Sequence, residues 1–317
     1  MTTQTYPIFD AHCDVLFQMY KDPTYRFHQG EQMHVTYPQL VEAGAKVQCF
    51  AIFVPHDVHP HDRFQIALQM VDDFYEKVLR PCPNLKLVRS KGDIESLQDH
   101  EIGAILTLEG CEPIEEDLLK LTTLFRLGVR SVGLTWNWAN AVADGALEPR
   151  GAGLTSFGRQ VLDVMNQWNI WTDVSHLCER AFWDVIEIAK QPVATHSNCA
   201  TITPHPRNLK DGQIRALIEA DGVIGVTFVP HFLRTDGRAT IDDVLRHVEH
   251  ICSLGGENHL GFGSDFDGID SPTLGLESYR YYDQLINQLL KYYSESQVVK
   301  FLYQNFVDRF PDECLGV

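Results

Sequence analysis

Short β-rich runs alternate along the chain with longer stretches whose apolar residues recur every three or four positions. The pattern predicts strands over 8–14, 47–54, 102–109, 131–135, 170–175, 193–196, 223–228 and 260–264. Helices are expected over 63–79, 117–127, 157–167, 179–190, 211–219, 241–254 and 294–301. In the third of these, Val161, Leu162 and Met165 fall on one face. Eight β/α alternations run without a long Gly-, Ser- or Pro-rich linker. That predicts one parallel (β/α)8 TIM barrel, of α/β class, over 1–317 with a helical extension at the C-terminal end. A doubly wound open sheet is the competing arrangement. Against it, no Gly-x-Gly-x-x-Gly follows the first strand, and the polar strand-end residues are spread over at least five strands.

In such barrels the C-terminal strand ends and the loops after them build the site. Asp14, Glu109, His176, His196 and Asp265 all fall at or just past a predicted strand end. His12 and Asp14 are two positions apart in an extended run, so imidazole and carboxylate share a face. Nitrogen and carboxylate oxygen together suit zinc or a similar divalent ion. Each residue alone also fits a blander role, a solvated acid or a hydrogen-bonded structural histidine; the joint pattern is stronger than any member. Three carboxylates and three histidines exceed one tetrahedral catalytic zinc, which takes three protein ligands and an open position. A two-metal site uses them better, with His12, Asp14 and Glu109 on one ion and a bridging Glu109, His176 and His196 on the other. Asp265 is then left for proton transfer, and Asp267 either supports it or caps the next turn.

Composition narrows the partners. The formal net charge of -17 opposes nucleic acid and anionic membrane surfaces. The eight cysteines include no Cys-x-x-Cys pair and read as buried thiols in a reducing compartment. The opening Met1-Thr-Thr-Gln-Thr-Tyr-Pro7 lacks the basic start and apolar core of a signal peptide. No apolar run approaches the roughly 20 residues that span a bilayer. Cys314-Leu-Gly-Val317 only superficially resembles a prenylation box, because Gly316 sits where an aliphatic residue belongs. A cytoplasmic location is expected.

Seven ordered motifs are Phe9-Asp-Ala-His-Cys-Asp14, Leu108-Glu-Gly110, Leu134-Thr-Trp-Asn137, Asp173-Val-Ser-His176, Thr195-His-Ser-Asn198, His205-Pro-Arg-Asn208 and Gly261-Phe-Gly-Ser-Asp-Phe-Asp-Gly268. By these the chain resembles, over essentially its whole length, the membrane (renal) dipeptidase family of binuclear zinc peptidases, and looks like its bacterial-type, unanchored members. The resemblance implies a (β/α)8 barrel and two Zn2+ per chain, with His12, Asp14, Glu109, His176 and His196 as ligands and Asp265 as proton shuttle. It assigns Arg207 to the substrate's C-terminal carboxylate, and implies a homodimer. Substrates would be dipeptides, often with a D-residue last, hydrolysed by a metal-bridging hydroxide. Two positions depart from the mammalian-type pattern. Trp136, beside Asn137, replaces a histidine at the scissile group, which makes these two the candidate substrate contacts. Val229 replaces a tyrosine and leaves more of the carboxylate to Arg207. The alternatives are lactonase, deaminase or β-lactam hydrolysis on the same core, or a non-catalytic peptide-binding barrel.

Other polar groupings read as background. His56, His59 and His61 form a solvated loop that could cover the site. His247 and His250 are expected on a solvated helix face. His205 either orients Arg207 or belongs to its loop. Trp136 and Trp138 line the pocket or pack in the core. Tyr279-Arg-Tyr-Tyr282 and Tyr292-Tyr293 are candidates for a subunit interface.

Overall fold

A computed structural model describes residues 6–312, so the tail motif at Cys314 lies outside the described residues. Among the described residues nine parallel strands form: β1 (Ile8–Asp10), β2 (Ala45–Phe53), β3 (Leu85–Leu87), β4 (Ile102–Glu109), β5 (Val129–Gly133), β6 (Trp171–Asp173), β7 (Pro192–Val193), β8 (Ile224–Val226) and β9 (Leu260–Phe262). Eight of them follow one path, β7-β6-β5-β4-β2-β1-β9-β8. Ala194 pairs with Ile224 between the two ends of that path, which closes the (β/α)8 barrel. The extra strand, β3, pairs with Ile102–Ala104 at the start of β4. It falls between the helix expected over 63–79 and the strand expected over 102–109, and the sequence reading missed it.

β2 and β4 are almost wholly buried, as strands covered on both faces must be. Their alternate residues Val47, Cys49 and Ile105 meet Phe9, Trp171 and Val193 from other strands inside the barrel. Phe306, Val307 and Phe310 complete this inner cluster from the C-terminal segment. The Trp171 indole NH donates to the Arg309 carbonyl at 2.9 Å, tying that plug to the barrel. One end of the cylinder is thus filled with carbon.

Several strands stop earlier than expected, and β1 and β6 do so for a shared reason. β1 ends at Asp10 rather than residue 14, because Asp10 Oδ1 accepts the His12 and Ser264 amides at 3.2 and 2.9 Å. β6 ends at Asp173 rather than 175, because Asp173 Oδ1 accepts the Ser175 and Thr195 amides at 2.9 and 3.0 Å. A side-chain acceptor takes donors that the sheet ladder would otherwise use. The Tyr282 hydroxyl donates to the other Asp10 oxygen at 3.0 Å.

The helices follow their apolar stripes. Ser156–Trp168 is capped by Thr155, whose hydroxyl accepts the Gly158 amide, and buries Val161, Leu162 and Met165. Ile241–Ser253 opens on a Thr240/Asp243 capping box and buries Val244, His247, Val248 and Ile251. His247 is therefore not on a solvated face. It is fully buried, its Nδ1 accepting the Cys199 amide at 3.0 Å and its Nε2 reaching the Leu233 carbonyl at 3.2 Å. His250 pairs instead with Asp211 at 2.8 Å. Tyr279 and Tyr282 are also buried, which removes them as interface candidates, whereas Tyr292 is exposed. The seven described cysteines are all free, six of them buried. Among the described residues no helix is long and apolar enough to cross a membrane.

Candidate active site

The mouth opposite the carbon plug gathers the ionisable groups. Glu109 is the last residue of β4, reached from Ile105 by strict alternation along the inner face. His12 and Asp14 follow β1, where the Asp10 turn resets the alternation. Phe9 and Ala11 belong to the inner cluster and Cys13 to the outer one, so the pair after Ala11 faces inward together. His176 follows β6 in a left-handed conformation, φ 69°. Asp265 follows β9 with φ 62°, held by its amide on the His12 carbonyl at 3.2 Å. Left-handed non-glycine residues are uncommon and persist only where their surroundings over-determine them.

One carboxylate touches both halves of the cluster. Glu109 Oε2 lies 3.5 Å from His12 Nε2, and Oε1 lies 3.0 Å from His176 Nε2 and 3.8 Å from His196 Nε2. His12 Nε2 is 3.4 Å from Asp14 and 4.0 Å from Asp265. Two sets, His12–Glu109–His196 and His12–Asp14–Asp265, each offer three donor atoms within 4.8 Å of one another. Asp265 therefore stands closer to the ligand cluster than its separate role in the sequence reading implied.

The imidazoles are held from behind. The Thr195 hydroxyl donates to Asp173 Oδ2 and sits 2.8 Å from His196 Nδ1, so it accepts that proton and leaves Nε2 a lone pair. Asn137 Oδ1 lies 2.8 Å from His176 Nδ1. With both outer nitrogens engaged, the two Nε2 atoms face each other at 2.8 Å. His12 Nε2 is buried without a hydrogen-bond partner. Lone pairs converging on one another and on three carboxylates repel unless a cation lies between them, so this donor set fits divalent metal ions. Asp10, Asp173 and Thr195 support the ligands, and the sequence reading gave them no role. The Asp10 and Asp173 turns are tertiary, and no spacing announces them.

Electrostatics follows the same crowding. Burial pushes Glu109 up, but His12 and His176 hold it well below the usual carboxylate range. Burial lowers His12 too, and Glu109 and Asp14 more than reverse this. Burial, then Arg207, brings His176 down to about 3, while burial and the His12 charge push His196 well below its ordinary value. Asp265 is raised to about 7, chiefly by burial. Asp267 is a structural clamp, accepting the His34 and Val35 amides at 2.7 and 3.0 Å.

A cavity of 640 Å³ opens above this cluster. Trp136, Asn137, Phe53, Phe232 and Val229 line it beside Asp14, Glu109, His176 and Asp265. His56 lines it as well and stacks on Trp136, with centroids 5.7 Å apart, so part of that loop does border the site. Arg207 does not line this cavity. It lies behind the imidazoles, donating to the His196 carbonyl at 3.2 Å, and borders a second cavity of 260 Å³ that shares His176. Its guanidinium sits over Phe232, 5.4 Å from the ring centre, and its Nε is buried without a partner. The His205 ring accepts the Arg207 amide at 3.1 Å and so shapes that loop.

A model of the membrane dipeptidase family (peptidase family M19) matches residues 2–312. An uncharacterised protein from the pqqA 5' region of Klebsiella pneumoniae is 34% identical over 261 residues, covering 78% of this chain and 96% of that protein. An uncharacterised dipeptidase of Schizosaccharomyces pombe is 31% identical, over 84% of this chain and 68% of its own length. Among solved structures, the metallopeptidase dipeptidase AC superposes with a TM-score of 0.92 at 30% identity, over 99% of this chain and 100% of its own. A metallopeptidase from Rhodobacter sphaeroides, bound to a phosphinate mimic of the dipeptide L-Ala-D-Ala, gives 0.90 at 28%, over 97% of this chain and 100% of its own. The barrel, the cluster at its mouth and the extent of these matches agree: the chain belongs to the membrane dipeptidase family of metallopeptidases.

Proposed function

We propose that this protein is a binuclear zinc dipeptidase that cleaves dipeptides with a free C-terminal carboxylate and accepts a D-residue there. His12, Asp14 and Glu109 would hold one ion, and Glu109, His176 and His196 the other. The observation that carries this is the double reach of Glu109, 3.5 Å to His12 through one oxygen and 3.0 Å to His176 through the other. Bound zinc would supply Lewis acidity and bring the pKa of a water from 15.7 down to about 7. Asp265, 4.0 Å from His12 Nε2 at the edge of the cluster, takes the proton of the attacking water and returns it to the leaving amine nitrogen. Arg207, which borders the adjoining cavity that shares His176, would read a substrate carboxylate reaching past His176 by a two-pronged hydrogen bond, which limits cleavage to one residue beyond the scissile bond. Its unpartnered buried Nε supports that role. Trp136 and the aromatic wall pack against the substrate's side chains. The phosphinate mimic of L-Ala-D-Ala bound to the Rhodobacter sphaeroides relative supports D-tolerance. Zinc analysis of purified protein, with rates on matched L,L- and L,D-dipeptides, tests the proposal. Two ions per chain and turnover of both series are expected. Metal-loaded protein that spares every dipeptide would overturn it.

A further inference from the structure

We propose that Asn137 is a positioning residue for His176, fixing the imidazole tautomer that turns a bare Nε2 toward the metal site. The proposal rests on the reading of His176 as a ligand. Asn137 Oδ1 lies 2.8 Å from His176 Nδ1, hydrogen-bond distance for an amide oxygen accepting a ring N–H. A proton held on Nδ1 leaves Nε2 a lone pair. Without that acceptor the ring is free to protonate Nε2, which then offers no donor to a cation.

The surrounding segment is built to hold this contact. The His176 carbonyl accepts from the Ala146 amide at 2.7 Å and the Thr135 hydroxyl at 3.3 Å, which pins its left-handed backbone. The Asn137 carbonyl accepts the Leu147 amide at 2.9 Å. Gly145 packs so closely that an added Cβ would lie 2.3 Å from both the Asn137 carbonyl carbon and the Trp136 oxygen. Asn137 is thereby fixed on both sides, with its oxygen committed to the ring. His196 is oriented separately, by Thr195 and Asp173. Removing the Asn137 acceptor therefore perturbs one of the two proposed sites and spares the other.

The test is chelator competition on the zinc-loaded protein, followed by metal analysis, for wild type, Asn137→Leu, Asn137→Ala and Asn137→Asp. The Leu and Ala variants should release one ion with affinity weakened about 10–100-fold and keep the other. Ala removes the acceptor without added bulk should Leu crowd the loop, and thermal melts confirm that each variant folds. Asp restores an acceptor and should rescue binding, which a merely structural defect would not allow. Wild-type affinity at both sites in Leu and Ala, with only KM or kcat altered, would return Asn137 to the substrate and overturn the proposal. Failure of Asp to rescue would overturn it too. The assay reads metal alone, so protein that binds both ions yet spares dipeptides would sink the proposed activity while still deciding Asn137.

Discussion

Replacing Glu112 by Gln should alter how stability depends on pH. Glu112 follows the site carboxylate by three positions and is buried, and its Oε2 lacks a hydrogen-bond partner. It fills the space beside Gly110, where an added Cβ would meet Oε2 at 2.1 Å. Burial raises its pKa from 4.5 to about 7; its own amide, Asn140 and the Trp136 amide relieve this only in part. The folded chain thus keeps the proton over a range in which the unfolded chain has already released it. Stability from this group is complete below pH 4.5 and is lost as pH rises through about 7. At about 1.4 kcal/mol per pH unit the full loss is about 3 kcal/mol, most of it between about pH 5 and 8. Gln does not titrate, so the variant should gain on wild type by roughly that amount as pH rises. Whatever its amide costs inside the fold is the same at every pH. Melts of the metal-loaded pair across this interval should show the difference in Tm moving by about 5 °C, at about 2 °C per kcal/mol for a chain of this size. Metal-site titrations are common to both proteins and cancel. Parallel Tm curves would show that Glu112 does not carry a raised pKa.

Asp265→Asn should keep both ions while kcat falls by about 10²–10⁴, the usual worth of a positioned acid–base group; an ion lost in metal analysis would make Asp265 a ligand. Arg207→Ala should raise KM by about 10–100-fold for dipeptides with a free carboxylate and leave their C-terminal amides unaffected. Equal effects on both substrate sets would remove Arg207 from carboxylate recognition. Gly268→Ala should lower activity sharply at little cost in Tm, because the new methyl would lie 2.3 Å from an Asp14 oxygen and 2.4 Å from an Asp265 oxygen; unchanged kinetics would contradict that packing.

The barrel was legible because its strands and helices carry different periods, and Glu109 because an uninterrupted alternation delivers it to the inner face. Other features depend on contacts that no local pattern contains. The placement of Arg207 beside a separate 260 Å³ cavity is one, since it depends on how a loop folds back behind His176 and His196. His247 differs. It sits at the position of an apolar stripe, between Val244 and Val248 and four before Ile251, so periodicity already marked it as buried. Histidine satisfies both ring nitrogens there against backbone groups, which makes burial affordable for a polar ring.

The His12–Asp14 pair shows how a sound local inference can rest on an incomplete element. Positions two apart do share a face, and both side chains reach Glu109's neighbourhood. Yet a single strand over 8–14 would have placed them on the wrong side. With Phe9 and Ala11 packed inside the cylinder, unbroken alternation puts Cys13 inside and His12 and Asp14 outside. The Asp10 carboxylate prevents this by taking the His12 amide, which ends β1 and lets the next residue turn inward. Parallel pairing then resumes alongside the segment after β9, where Cys13 pairs with Phe266 and the Asp14 amide meets the Phe266 carbonyl at 2.9 Å. The site therefore depends on a buried carboxylate that contributes no donor to it. Asp10 converts a strand that packs carbon at one end into a chain that presents ligands at the other.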